Sequence, residues 1–218
     1  MPIVYNVSNF MMRGALRLFG DWKVEGKEYV PPMGPLIIVA NHLSNLDPPM
    51  LASSMPRRVH FMAKGGLFRN PISSTFFRAY GAEPLERQGG DVRIINWALK
   101  MLEKDSAIGI FPEGTRNPDG MIEGVSGVAL IAIKSGAPIL PVGITGSETV
   151  GAPWQVVFPR GRFRVRIGQS FFLPTIEGRM GKEQLKSLTT MIMERVAALL
   201  PESYRGVYDL NRKTDKVV

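Results

Sequence analysis

Apolar residues in this chain recur with two different periods, and the two alternate along its length. From the N-terminal end, Val4, Val7, Met11, Ala15, Leu18 and Trp22 keep an i, i+3/4, i+7 rhythm with Phe10 and Phe19 alongside, while Arg13 and Arg17 lie on the other side. That rhythm predicts an amphipathic helix over 4–20. Such a helix either packs its apolar stripe on the body of the protein or lies in a membrane interface, where arginines beside a Phe, Leu, Trp and Met face are well placed. Short apolar runs then predict strands at 36–40, 59–63, 83–85, 107–111 and 139–144. Helices are expected from Pro48, over 71–80, from an Asp91 cap with Val92, Ile95, Leu99 and Leu102 on one face, over 128–134 ended by Gly136, and over 182–200. Strands alternating with helices at this spacing predict an α/β fold: a mostly parallel sheet flanked by helices, preceded by the amphipathic helix.

Near the C-terminal end, Phe163, Val165 and Ile167 alternate with Arg162, Arg164 and Arg166. On a strand this gives one apolar face and one row of guanidinium groups. The row is either the solvated face of an edge strand or an anion-binding stripe. The organisation expected is a membrane-associating helix over 1–21, a main domain over 22–200, and a polar, poorly ordered tail over 201–218.

Composition narrows the chemistry. The 218 residues suit one domain, and at 44% hydrophobic they can bury a core. A net charge of +8 points to anionic partners such as phosphate esters or anionic lipid surfaces. With no cysteine, disulfides, thiolate zinc sites and cysteine nucleophiles are excluded. Two histidines, His42 and His60, argue against a histidine-rich metal site, and no metal or resident cofactor is expected. No apolar run of about 18 residues predicts a membrane-crossing helix. The N-terminal stretch does not read as a signal peptide, because Arg13 and Arg17 interrupt it. The arginines lack interleaved aromatics of the kind that bind nucleic acid, so no nucleic-acid partner is expected.

Three polar clusters follow predicted strands. The first is Asn41-His42-Leu43-Ser44-Asn45-Leu46-Asp47-Pro48. A regular helix would set residues i and i+5 about 140° apart, too far to pair, but a turn between strand and helix lets His42 meet Asp47. Pro48 suits the first helical position, which makes Asp47 the expected N-cap. A carboxylate on Nδ1 would leave Nε2 of His42 free as a base. The second cluster is Phe111-Pro112-Glu113-Gly114-Thr115-Arg116-Asn117, where Gly114 permits close backbone approach, Thr115 offers a hydroxyl and Arg116 a fork suited to phosphate. The third starts at Lys64 and continues through Gly81 to Arg87; Lys64 and Arg87 are candidate phosphate contacts or plain surface charges. Clusters at the carboxyl ends of strands in one parallel sheet should converge on one crevice. Gly124-Val125-Ser126-Gly127-Val128 is not a nucleophile elbow, since its final glycine is missing. No phosphate-binding loop or dinucleotide fingerprint is present. His60, inside an apolar strand, reads as a core or edge histidine.

These residues resemble the 1-acyl-sn-glycerol-3-phosphate acyltransferases, which make phosphatidic acid in phospholipid synthesis. Asn41-His42 with Asp47 matches the first of that family's four blocks, and Lys64 through Gly81 to Arg87 the second. Phe111-Pro112-Glu113-Gly114-Thr115-Arg116 matches the third and Ile139-Leu140-Pro141-Val142-Gly143-Ile144 the fourth. The likeness runs from about residue 22 to residue 175, and the first and third blocks at this separation are its specific part. It implies that His42 is the general base and Asp47 its partner. It implies that Glu113, Gly114, Thr115 and Arg116 form the acceptor site, with Arg87 and Lys64 helping to hold the phosphate. Pro141 falls in the block tied to donor binding or site architecture. Where many relatives carry lysines after the third block, this chain has Gly124-Val125-Ser126-Gly127. The implied reaction moves a fatty acyl group from acyl-CoA or acyl carrier protein, as co-substrate, to the sn-2 hydroxyl of lysophosphatidic acid. It would take place at the cytoplasmic face of the cell membrane, with the protein held peripherally on an anionic surface. Two rivals stand beside it: an acyltransferase of this family using glycerol 3-phosphate or another lysophospholipid, and a non-catalytic peripheral protein that binds anionic lipid.

Overall fold

The computed structural model describes residues 2–85, 90–174 and 180–209; Arg87 lies outside them, as do the side chains of Lys64 and Asp91. In chain order the main elements begin with α1 (Pro2–Leu18), β1 (Asp21–Glu25), β2 (Leu36–Ala40), α2 (Asp47–Ser54), β3 (Val59–Lys64), α3 (Pro71–Tyr80) and β4 (Ala82–Leu85). They continue with α4 (Gly90–Leu102), β5 (Ala107–Ile110), α5 (Gly127–Ser135), β6 (Ile139–Thr145), β7 (Arg162–Ile167) and α6 (Lys182–Ala197). The strands form one seven-stranded sheet in the order β1-β7-β6-β2-β5-β3-β4. Every neighbouring pair is parallel except β6 with β7. The expected α/β architecture is present.

The central strand explains why the chain folds this way. All five residues of β2 are buried, because both faces of a parallel sheet are covered. Leu36, Ile38 and Ala40 join a core with Leu16 of α1 and Met50 and Leu51 of α2. Ile37 and Val39 join a second core with residues of α4, α5 and α6, among them Ala98, Ile131 and Ile192. Because β2 runs parallel to β5 on one side and β6 on the other, the carboxyl ends of all three open on the same edge.

Four local expectations are corrected. β1 was not foreseen; it pairs in parallel with β7, so β7 lies inside the sheet and is not an edge strand. Its arginine row faces acids on β1: Arg164 pairs with Asp21 at 2.5 Å and Arg166 with Glu25 at 3.1 Å. Two of the three guanidinium groups are therefore neutralised, which removes the basis for an anion-binding stripe. α1 is turned differently from the packing reading. Tyr5, Asn9 and Leu16 are buried, whereas Ile3, Val7, Phe10, Met11 and Leu18 are exposed. Beside the core contacts of Leu16, Met12 and the Tyr5 ring, the helix docks through polar contacts. The Tyr5 hydroxyl accepts from Val59 N, Asn9 Oδ1 accepts from the Ser53 and Tyr80 hydroxyls, and Arg13 donates to the carbonyls of Ser53 (2.7 Å) and Met55 (3.3 Å). Finally, residues 201–209 are not a loose tail. They form two short 3-10 helices, and Tyr208 is buried against the second core.

Candidate active site

The loop after β2 is built by its own side chains. Asn41, fully buried, donates from Nδ2 to the Ile144 carbonyl (2.9 Å) and accepts at Oδ1 from Ile144 N (2.8 Å), which extends the β2–β6 pairing by one residue. This fixes where the next residue, His42, leaves the sheet. The His42 ring stacks on Phe111, with centroids 4.4 Å apart, and its side chain keeps 18% exposure. Its Nδ1 lies 2.8 Å from Asp47 Oδ2. A carboxylate oxygen only accepts, so Nδ1 carries the proton and Nε2 is left with a lone pair.

Asp47 is fully buried and surrounded by donors. Besides His42, Oδ2 accepts from Leu43 N (2.6 Å) and Ser44 N (2.8 Å), and Oδ1 accepts a short hydrogen bond from the Ser147 hydroxyl. The N-cap expectation is corrected here. Leu46 occupies the N-cap position, Asp47 is already in the first turn, and its carboxylate reaches back to the preceding turn. A negative charge in the first turn still benefits from the helix dipole.

The loop after β5 is tied to this pair. His42 N donates to Glu113 Oε1 at 3.0 Å, and the His42 carbonyl accepts from Asn117 N at 2.8 Å. Glu113 Oε2 accepts from Ile122 N at 3.2 Å. Both oxygens of this buried carboxyl serve backbone N–H groups, so Glu113 braces the two loops. Gly114 has φ +65°, and a Cβ there would meet nothing within 4 Å, so the loop is open on that side. Thr115 and Arg116 are exposed beside it. Lys64 ends β3 on the same sheet edge. His60, near the start of β3, sits away from this edge; burial, with the charge of Arg58 adding, pushes its pKa down to about 4, so it is neutral.

Sequence reasoning missed Ser147. The residue stands where β6 ends, after Gly146, whose φ is +89° and where a Cβ would collide with the Arg162 carbonyl oxygen. A glycine-serine turn at the carboxyl end of a third strand was the available signal. The C-terminal residues support the same region: the Tyr204 hydroxyl donates to Glu148 Oε1 at 2.6 Å, and the Tyr208 oxygen accepts from Gly124 N at 3.0 Å.

An acyltransferase family model matches residues 21–145 of the chain. The chain belongs to the acyltransferase family. Similar to it is the 1-acyl-sn-glycerol-3-phosphate acyltransferase of Bacillus subtilis, 28% identical over 185 residues that make up 84% of this chain and 90% of that protein. The enzyme of the same name from Streptococcus pneumoniae is 30% identical over 77% of this chain and 61% of its own. Among solved structures, the crystal structure of the 1-acyl-sn-glycerophosphate acyltransferase PlsC from Thermotoga maritima has a TM-score of 0.69 and 27% identity, covering 88% of this chain and 77% of that one. The acyltransferase assignment sets aside the non-catalytic reading.

In this acyltransferase the buried Glu113 has a thermodynamic signature. Burial pushes its pKa up from 4.5 to about 7; the two backbone N–H donors pull the other way and the charge of Asp47 adds to the rise. Between those two values the folded protein holds a proton that the unfolded chain has released. Stability therefore falls as pH rises from 4.5 to 7, by on the order of 3 kcal/mol for a shift of this size. Replacing Glu113 with glutamine should flatten that decline. Melting temperature measured against pH for both proteins checks it, and parallel curves would contradict the assignment.

Proposed function

We propose that this acyltransferase moves a fatty acyl group from an acyl thioester to the sn-2 hydroxyl of 1-acyl-sn-glycerol 3-phosphate, forming phosphatidic acid. The observation that carries the reading is the His42–Asp47 pair, 2.8 Å apart and bolted through His42 N and O to the loop bearing Thr115 and Arg116. Nε2 of His42 takes the hydroxyl proton as the oxygen attacks the thioester carbonyl. Asp47 stabilises the imidazolium that forms. As the tetrahedral intermediate collapses, the C–S bond breaks and the imidazolium returns the proton to the leaving thiolate. A thioester is already activated, so no acyl-enzyme is needed.

Arg116 is the group suited to the acceptor phosphate, with Thr115 beside it and Lys64 and Arg87 as further cations. The donor thiol is coenzyme A or acyl carrier protein, acting as co-substrate. Arg116→Ala should raise the acceptor KM by about ten- to a hundredfold, the worth of a charge-assisted hydrogen bond, with a smaller change in kcat. Steady-state kinetics with purified protein measure this, and an unchanged KM would remove Arg116 from the phosphate site. A panel of lysophosphatidic acid, glycerol 3-phosphate and other lysophospholipids, run with a labelled acyl donor, tests the acceptor itself.

The lysolipid lives in a bilayer, and α1 is suited to reach it. Its outward side carries Ile3, Val7, Phe10, Met11 and Leu18, each more than half exposed. Among the described residues no helix is long and apolar enough to cross a membrane. In this reading the exposed apolar side of α1 lies in the membrane interface and holds the enzyme peripherally on the cytoplasmic face.

A further inference from the structure

The apolar surface presented by α1 does not stop at Leu18. Phe19 follows it, and its ring meets Phe158 edge-on with centroids 5.2 Å apart. Phe158 belongs to the connection between β6 and β7, far from α1 in the chain. That connection displays two more large apolar side chains: Trp154 is 66% exposed, Val157 58% and Phe158 itself 50%. Three such side chains turned to water within five residues are unusual for a connecting segment, which is normally polar.

The segment holds a defined shape while doing this. A short 3-10 helix runs over Pro153–Val156. Gln155 Oε1 accepts from Gly151 N (2.9 Å) and Ala152 N (2.8 Å), and Val157 N donates to the Trp154 carbonyl (3.1 Å). The apolar side chains are thus held outward by a preformed backbone and are not left over from a loose loop. Exposed arginines flank the patch in the chain: Arg17 before Leu18, where it lies over the Trp22 ring, and Arg160 and Arg162 just after Phe158.

We infer that residues 154–158 form a second membrane wedge, continuous with α1 through the Phe19–Phe158 contact, and that this wedge enters the interface of an anionic bilayer. Exposed tryptophan and phenylalanine with exposed arginines next to them in the chain match the boundary between headgroups and acyl chains, where an indole keeps its N–H in the polar layer. The charge pattern selects a bilayer over a second copy of the chain. Copies meeting through this patch would bring Arg17, Arg160 and Arg162 against their equivalents in a protein of net charge +8. Anionic headgroups would satisfy the same arginines. The wedge also has a place in the proposed reaction. It begins seven residues after Ser147, whose hydroxyl holds Asp47, so the element that enters the lipid and the element that supports the base pair belong to one connection. This inference rests on the peripheral attachment proposed for α1 and extends it.

The test uses the full chain with phosphatidylglycerol–phosphatidylcholine vesicles whose acyl chains carry bromine near the headgroup end. The protein has three tryptophans, of which Trp22 and Trp97 are not exposed. Bromine should quench the fluorescence of bound wild-type protein, and the quenched fraction should vanish in Trp154→Phe. Val157→Asp should weaken sedimentation with these vesicles by tenfold or more while leaving turnover of a water-soluble short-chain acceptor unchanged. Quenching that is the same with and without Trp154, in protein that still sediments and loses sedimentation on Phe10→Asp, would overturn the wedge and leave α1 as the attachment. Wild-type protein that does not sediment at all would overturn both. A wild-type dimer dissolved by Val157→Asp, with vesicle binding untouched, would overturn the wedge in favour of self-association. Circular dichroism of each variant guards against reading a folding defect as lost binding, and if Val157→Asp fails it, the Trp154→Phe quenching result decides.

Discussion

Replacing His42 with alanine is expected to lower acyl transfer by about 10²–10⁴-fold, the usual contribution of a positioned general base, with the fold intact. The structure separates the two outcomes. His42 is tied to the protein mainly through its backbone, with N–H to Glu113 and C=O to Asn117, and alanine keeps both bonds. The ring itself packs on Phe111 at the surface of the crevice and retains 18% exposure, so its loss leaves a space that water can fill. Asp47 keeps three of its four donors: Leu43 N, Ser44 N and the Ser147 hydroxyl. Stopped assays with a labelled acyl donor, alongside a thermal melt, make the measurement. Turnover near that of the wild type in a protein that melts normally would remove His42 from the base role.

The second large effect belongs to Asp47→Asn, which tests charge apart from shape. The asparagine oxygen can stand where Oδ2 stands, accepting from His42 Nδ1, Leu43 N and Ser44 N. Its amide would then face the Ser147 hydroxyl, and a hydroxyl can turn and accept. In turning, the buried Ser147 hydroxyl gives up its own acceptor, and the amide brings a second N–H into a buried site, so the variant should still fold but melt below the wild type. What disappears is the negative charge beside the imidazolium, in a site where the carboxylate is shielded from water. Transfer should fall by at least about 10²-fold. A variant that folds and keeps a tenth of its activity would show that orientation of the ring is enough. Ser147→Ala should produce a milder version, because Oδ1 loses its donor while the three bonds to Oδ2 stay.

How much of this could be read from the chain depends on how far apart the partners lie. The central strands and α3 were legible because a continuous apolar run or a 3.6-residue rhythm is a local signal. The site's first two clusters were legible too, because each follows such a run directly. β1 was not: Asp21-Trp22-Lys23-Val24-Glu25 is half polar, and what makes it a strand is β7, about 140 residues away. The same distance hid the pairing of Arg164 and Arg166 with Asp21 and Glu25. The sequence left the orientation of α1 open between packing its apolar stripe on the body and turning it outward. The apolar stripe gave the period but not the direction, because the inward face joins Leu16 and Met12 to Tyr5, Asn9 and Arg13, which bind specific backbone and side-chain atoms in and just after α2, in β3 and in α3. Glu113 was found by its motif, yet its role depends on which N–H groups it meets after folding. Ser147 met Asp47 only through the sheet, 100 residues apart in the chain.

The way α1 is attached bears on how the enzyme can be handled. Arg13 covers the carbonyls of Ser53 and Met55 at the far end of the helix that begins with Asp47, and Tyr5 occupies the amide of Val59 at the start of the next strand. A helix that looks like a removable greasy leader is thus also a clamp on the catalytic helix. Trimming it to gain solubility would strip hydrogen bonds from buried backbone at the same time. The gentler route is to change the outward residues, Phe10 and Met11 among them, and keep the inward Tyr5, Asn9 and Arg13.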